Sequence, residues 1–180
     1  MYSIAAPHAK GKSAEDNIFA ANNRAIALAK EIGVENVTNA TVGSILDEDG
    51  SLVVLDVVKQ ELKNLTPPEF CAYAPIKGYD EFLKDCIDQC FGKSRPEGYI
   101  DACATPGGTG VLHHVVHNYS EPGDEVLITD WHWGAYDSLI DDNNRKVRTF
   151  SFLTSDGHFN AASFKENVED ILKKQDNIVI

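Results

Sequence analysis

Ala104-Thr105-Pro106-Gly107-Gly108-Thr109-Gly110 stands between a strand-like run at 99–104 and an apolar run at 111–117 that predicts the opening of a helix. A strand that turns through glycines into a helix N-terminus can bind an anion, because its N–H groups point outward and the helix dipole favours negative charge. Glycine also lets a phosphate approach the backbone without a Cβ in the way. A plain turn is the alternative interpretation. The spacing matches neither the G-x-G-x-x-G fingerprint nor a P-loop, so it predicts another phosphate-bearing ligand at 107–109.

Strand-like and helix-like runs alternate on both sides of this turn. Strands are predicted at 99–104, 125–129, 146–153 and 177–180. Helices are predicted at 13–32, 55–62, 79–91, 111–119, 135–141 and 161–174. Such alternation is typical of an α/β domain with a largely parallel sheet. Thr66-Pro67-Pro68 is expected to end the second helix.

Domain organisation is read from an acidic turn and from the apolar run at the end of the sequence. Asp47-Glu48-Asp49-Gly50 marks a boundary between residues 1–47 and residues 48–180. The run 177–180 predicts a buried strand that has just begun. We therefore expect the chain to be the N-terminal part of a longer protein.

Composition excludes several classes of partner. The net charge of −12 over 180 residues argues against nucleic acids and anionic membranes. No apolar run approaches the roughly 20 residues that span a bilayer. The four cysteines contain no Cys-x-x-Cys pair, so zinc is not expected, and reduced thiols favour a cytoplasmic protein. His113, His114 and His117 have no carboxylate or cysteine at ligand spacing, so no metal site is predicted.

Three further motifs accompany the glycine turn in order. They are Thr41-Val42-Gly43, then Tyr73-Ala74-Pro75-Ile76-Lys77-Gly78, and after the turn Thr129-Asp130-Trp131-His132-Trp133-Gly134-Ala135-Tyr136. Together the four motifs resemble the N-terminal portion of a fold-type-I pyridoxal-phosphate aminotransferase of the aspartate and aromatic amino acid branch, over residues 39–180. The resemblance implies an α/β fold with a partly parallel mixed sheet flanked by helices. The large domain would be incomplete, and the N-terminal arm and helix would belong to a small domain.

The resemblance also implies roles for particular residues. The implied contacts to pyridoxal 5'-phosphate are Gly107, Gly108, Thr109, Trp133 and Tyr73. The amides of Gly108 and Thr109, with the Thr109 hydroxyl, would hold the phosphate, and Gly107 replaces a commoner serine. An indole at Trp133 would stack on the pyridine ring, and Tyr73 would reach the phosphate in the neighbouring subunit of a homodimer. Gly43 would lie beside the substrate carboxylate.

The implied reaction moves an amino group from an L-amino acid, of the aspartate or aromatic type, to a 2-oxo acid through a Schiff base on the cofactor. None of Lys146, Lys165, Lys173 and Lys174 has the sequence context expected of the Schiff-base lysine. That lysine, the aspartate that pairs with the pyridinium and the carboxylate-binding arginines are therefore expected beyond residue 180. The 180 residues alone should be inactive.

Several alternatives stay open. Tyr136 stands where the aspartate branch often has a histidine, so the substrate branch stays open. Another fold-type-I enzyme, such as a carbon–sulfur lyase or a decarboxylase, is one rival. A non-catalytic cofactor- or effector-binding domain of the same fold is another, and an unrelated α/β phosphate-binding module is a third. Arg145 and Arg148 are interpreted as surface charges at a strand edge.

Overall fold

The computed structural model of the protein describes residues 4–10 and 17–180. The chain divides into two compact units, with Ala72 the last residue of the first and Tyr73 the first residue of the second. The domain boundary after residue 47 stays a prediction, and the helix start predicted at Ser13 lies outside the described residues.

The sheet of the second unit is parallel, as its sequence predicts. β1 (Glu125–Thr129) pairs in parallel with β2 (Lys146–Phe150), with Glu125 opposite Lys146. Val179 pairs in parallel with Val126, and the amide of Leu127 donates to the carbonyl of Val179 at 2.9 Å. Since Val126 also pairs with Val147, β1 lies between β2 and the segment around Val179. A central parallel strand is covered on both faces, which explains the three consecutive apolar residues 126–128 inside β1.

Helices cover both faces of this sheet. α5 (Gly107–Tyr119) and α6 (Ala135–Asp142) pack on one face, and α7 (Ala161–Ile171) packs on the other. The core of the first face contains Val116, Val126, Ile140 and Val179. The core of the second face contains Leu127, Phe150 and Ile171. Alternate side chains of β1 enter opposite cores because successive residues of a strand point to opposite faces.

Three strand predictions need correction. The run 177–180 forms only the isolated parallel bridge of Val179 with Val126. Residues 99–104 carry no strand, because the described part of the chain offers them no partner and a ladder needs two strands. β2 ends at Phe150 rather than at residue 153, and Leu153 forms only an isolated antiparallel bridge with Phe159. The helix that precedes 99–104 is α4 (Asp80–Phe91), as predicted, and Gly92 follows it.

The first unit is helical. α1 (Asn17–Ile32) is followed by Gly33 at φ +98°, whose amide donates to Ala29 as expected of a residue that ends a helix. α2 (Asp56–Asn64) and α3 (Pro67–Cys71) follow. The two prolines therefore begin a helix as well as ending one, because a proline fits the first helical turn. Among the described residues, no helix is both long and apolar enough to cross a bilayer.

The interpretation of Arg145 as a surface charge is wrong. Arg145 is 7% exposed, and its guanidinium donates to four neutral oxygens, three near the end of α5 and one just after α6. Nε lies 3.0 Å from Ser120 Oγ, Nη2 lies 3.2 Å from the His117 carbonyl, and the carbonyls of Ser120 and Asn143 accept the other two bonds. A cation there satisfies carbonyls that the helix leaves open. Arg148 is also partly buried, with its Nε 2.7 Å from Asn167 Oδ1 on α7.

Candidate functional site

The glycine segment forms the first turn of α5. Gly107 has φ +66°, which a residue with a Cβ rarely adopts, and its amide donates to the Thr105 carbonyl at 2.7 Å. The Thr105 hydroxyl donates to the Gly107 carbonyl at 2.9 Å, and the Gly110 amide donates to Pro106 at 3.3 Å. These bonds hold residues 107–110, here named the phosphate turn, in a defined backbone conformation.

Three hydrogen-bond donors of the phosphate turn have no acceptor among the described residues. Within the described residues, the amides of Gly108 and Thr109 and the hydroxyl of Thr109 donate to no protein acceptor. A Cβ built on Gly107 or Gly108 would meet nothing within 4 Å, whereas one on Gly110 would lie 2.6 Å from Pro106 Cδ. The first two glycines therefore face open space and the last packs closely. Outward amides at the start of a 13-residue helix fit a phosphate group.

A cavity of about 510 Å³ lies between the first half of α5 and the length of α6. Its lining includes Thr109 and Gly110 from the phosphate turn and Ala135 from the first turn of α6. Trp133 and Gly134 lie directly before Ala135 in the chain. The structure thus places the glycine segment (104–110) and the tryptophan segment (129–136) at the starts of two neighbouring helices.

Trp133 lies in the loop between β1 and α6. Its indole is 45% exposed and meets the ring of Tyr136 edge to face, with centroids 6.0 Å apart. Tyr136 in turn stacks on His132 at 6.4 Å, and His132 Nδ1 lies 2.9 Å from the Thr129 carbonyl. Asp137 Oδ2 lies 3.3 Å from the other ring nitrogen of His132. This aromatic group supports the indole at its edge and leaves nearly half of it open to a planar ligand.

The carboxyl ends of the parallel strands meet beside this loop. The Asp130 amide donates to the Phe150 carbonyl at 2.9 Å, and Asp130 Oδ1 accepts from the Phe152 amide at 2.9 Å. Ligands of open α/β sheets bind outside this edge of the sheet. The position of Trp133, three residues past Asp130, agrees with that rule.

The two remaining predicted residues lie elsewhere. Tyr73 begins the second unit, is fully exposed and does not line the cavity between α5 and α6. Gly43 belongs to the first unit, where a Cβ on it would meet nothing within 4 Å. The cavity therefore brings Thr109 close to the start of α6, which follows Trp133 in the chain. The cofactor and substrate roles of all the predicted site residues, Tyr73 and Gly43 included, stay predictions.

Sequence reasoning missed a polar network beside the phosphate turn. Lys77 Nζ donates to Asp101 Oδ1 at 2.7 Å, and the Tyr99 hydroxyl donates to Asp101 Oδ2 at 3.1 Å. The Lys77 hydrogen bond, followed by that of the Ala102 amide, lowers the pKa of Asp101 below its ordinary value. The same pair raises the pKa of Lys77, and the bond to Asp101 raises the pKa of Tyr99. Lys77 and Asp101 are 24 residues apart, and no local pattern connects them.

These observations define an α/β protein with open backbone donors at one helix start and a half-exposed indole just before the next one. The model of the class I and II aminotransferase family matches residues 35–180, and the chain belongs to that family. Enzymes of this family depend on pyridoxal phosphate, and the open donors and indole described above fit that cofactor. The family resemblance and the fold class that the motifs predicted are thus confirmed.

Solved structures agree. An aminotransferase from Anaerococcus prevotii is 34% identical, with a TM-score of 0.92, and the match covers 98% of this chain and 43% of that one. The cytoplasmic aspartate aminotransferase of Saccharomyces cerevisiae is 18% identical, with a TM-score of 0.66 and coverages of 88% and 39%. A psychrophilic aromatic amino acid aminotransferase from Psychrobacter is 22% identical, with a TM-score of 0.67 and coverages of 88% and 40%. At such identities the last two show the fold alone. No curated protein matches significantly, and this chain spans about two fifths of the length of its structural relatives.

Proposed function

We propose that the protein is a pyridoxal-phosphate aminotransferase that moves an amino group from an L-amino acid to a 2-oxo acid. The observation that carries this proposal is the phosphate turn, whose two amides and one hydroxyl lack protein acceptors within the described residues. Membership of this family identifies the phosphate-bearing cofactor that such donors would bind as pyridoxal phosphate. The amino donor is proposed to be of the aspartate or aromatic type, on the resemblance of the motifs.

Each site residue has one task in this proposal. Gly108 and Thr109 hold the cofactor phosphate through backbone amides and the Thr109 hydroxyl, and Gly107 supplies the φ +66° that opens the turn. Trp133 holds the cofactor ring parallel to its indole. Bound pyridoxal phosphate supplies the electron sink that lets the substrate α-proton leave.

Other parts of the protein would complete the site around residues 107–109 and Trp133. Tyr73, fully exposed, would donate to the phosphate bound by the partner subunit of a homodimer, and Gly43 would lie beside the substrate carboxylate. The Schiff-base lysine is proposed to lie outside the 180 residues, which by themselves should be inactive. Residues 1–47 would then belong to the small domain and residues 48–180 to the large cofactor domain. A cytoplasmic location is proposed from the four free cysteines.

The test is the near-ultraviolet and visible absorption spectrum of the complete protein before and after L-aspartate is added. A bound pyridoxal phosphate band that shifts to that of pyridoxamine phosphate supports transamination and identifies a donor. A band that responds to an aromatic amino acid instead supports the reaction and corrects the donor. A protein that shows no band after the cofactor is supplied, and consumes no amino acid, would overturn the proposal in favour of the non-catalytic alternative.

A further inference from the structure

We propose that Lys77 and Asp101 form a clamp that holds the phosphate turn in register for the cofactor phosphate, which makes both of them positioning residues for cofactor binding. The clamp joins the loop at 73–78 to the segment 99–104, which leads directly into the turn. The inference rests on the proposed function for the identity of the ligand. The geometry of the clamp is independent of that function.

The side chains of the clamp are fully engaged around Asp101. Oδ1 accepts from Lys77 Nζ at 2.7 Å and from the Ala102 amide at 2.8 Å. Oδ2 accepts from the Tyr99 hydroxyl at 3.1 Å. Both carboxylate oxygens are therefore used, and the carboxylate is fixed to its own segment as well as to the loop. An ionised donor makes such hydrogen bonds shorter and stronger than neutral ones.

The backbone makes a second connection a few residues on. The Ala104 amide donates to the Lys77 carbonyl at 2.7 Å. Gly78, at φ +109°, approaches so closely that a Cβ on it would lie 2.9 Å from the Cβ of Ala104. Ala104 is three residues before Gly107, so a shift of the loop would move the entry to the phosphate turn. The loop and the turn therefore move as one piece.

Because the Lys77–Asp101 pair is exposed, its effect on the position of the turn can be distinguished from an effect on protein stability. The Lys77 side chain is 54% exposed and that of Asp101 is 45% exposed. Exposed ion pairs contribute little to the free energy of unfolding. Loss of the pair should therefore act on the placement of the turn, and hence on phosphate affinity, while the thermal stability of the protein changes little.

The chain offers a matched control. Lys84 Nζ lies 2.5 Å from Asp88 Oδ2, and the Lys84 side chain is 71% exposed. That pair joins successive turns of α4 and has no bond to the loop or to the phosphate turn. Lys84→Met removes an equally close Lys–Asp pair, so it reports what such a loss does without the clamp.

The experiment uses the complete apoprotein as wild type, Lys77→Met, Asp101→Asn, the exchanged pair Lys77→Asp with Asp101→Lys, and Lys84→Met. The dissociation constants of pyridoxal phosphate and of pyridoxal, which lacks the phosphate, are measured by absorbance. Hydrogen exchange over residues 102–110 is measured without ligand. The two single clamp variants should weaken pyridoxal phosphate by about two- to fivefold and leave pyridoxal unchanged. They should also speed exchange over 102–110, and the exchanged pair should recover part of both effects.

The outcomes separate the clamp from the proposed function. In one outcome, the wild type binds pyridoxal phosphate, and the clamp variants match Lys84→Met in cofactor affinity and in hydrogen exchange. That result overturns the clamp and leaves the proposed function standing. Equal losses for pyridoxal phosphate and pyridoxal also overturn it, because the effect would not lie at the phosphate. A wild type that binds neither compound, with exchange raised only in the clamp variants, supports the positioning of the turn and removes the proposed function.

Discussion

Replacement of Thr109 by valine tests the phosphate turn at a single atom. Valine keeps the shape and the β-branch of threonine and exchanges the hydroxyl for a methyl group. Because that hydroxyl has no protein acceptor in the described part of the chain and the residue is exposed, the free energy of unfolding of the apoprotein should change by less than about 0.5 kcal/mol. A hydrogen bond to a charged group contributes about 1.5–3 kcal/mol. The dissociation constant of pyridoxal phosphate should therefore rise between about 10-fold and about 150-fold.

The assay is a titration of the complete apoprotein with pyridoxal phosphate, followed by absorbance, beside a thermal unfolding curve. Thr109→Ser is the matched control, because serine keeps the hydroxyl and should retain most of the affinity. Pyridoxal, without a phosphate, should bind equally to all three proteins. A Thr109→Val protein whose affinity for pyridoxal phosphate lies within twofold of wild type would refute the role of this hydroxyl.

Four further predictions follow from the contacts and motifs above. Leu127→Ala should lower the free energy of unfolding by about 2–5 kcal/mol, because the side chain is 0% exposed, and chemical denaturation that shows under 1 kcal/mol would contradict this packing. Arg145→Met should cost about 2–4 kcal/mol in the same measurement, since three buried acceptors and one part-buried acceptor lose their donor, and an unchanged midpoint would mean that water replaces it. Tyr73→Phe should leave the stability unchanged and weaken pyridoxal phosphate about tenfold or more; only a slight loss of affinity would end its assignment across the dimer. The difference in thermal stability between wild type and Lys77→Met should be small and should stay constant well inside the window from pH 3.8 to pH 10.5. The pKa of Asp101 is lowered, so its contribution is lost only as pH falls through that lowered value, and the pKa of Lys77 is raised, so its contribution is lost only as pH rises through that raised value. A difference that changed with pH near neutrality would contradict the pairing.

Local pattern predicted those elements that depend on neighbours within a few residues. The alternation of strands and helices placed both ends of β1 and α6, and one end each of β2, α5 and α7, close to their observed bounds, because burial on one face imposes a period on the sequence. The same reasoning failed for 99–104, which has strand composition and no partner among the described residues. It also missed the helix that begins at Pro67, because a proline can mark either the end of one helix or the first turn of the next.

Candidate site residues divide in the same manner. Gly107, Gly108 and Thr109 could be proposed from sequence because a glycine turn before a helix is a continuous stretch whose backbone chemistry follows from the residues themselves. Lys77 was within a recognised motif, yet its partner Asp101 carried no signal. A hydrogen bond between residues 24 apart depends on where two segments come to lie.

The sequence by itself determined the α/β class, the position of the phosphate turn and the family, because hydrophobic period, glycine placement and motif order are properties of the chain. Only the tertiary structure decided that Arg145 is buried against the end of α5 and that Lys77 holds Asp101 beside the turn. The physical reason is that burial and charge pairing depend on what surrounds a side chain. That environment is assembled from residues far apart in sequence, when helices close over both faces of the sheet.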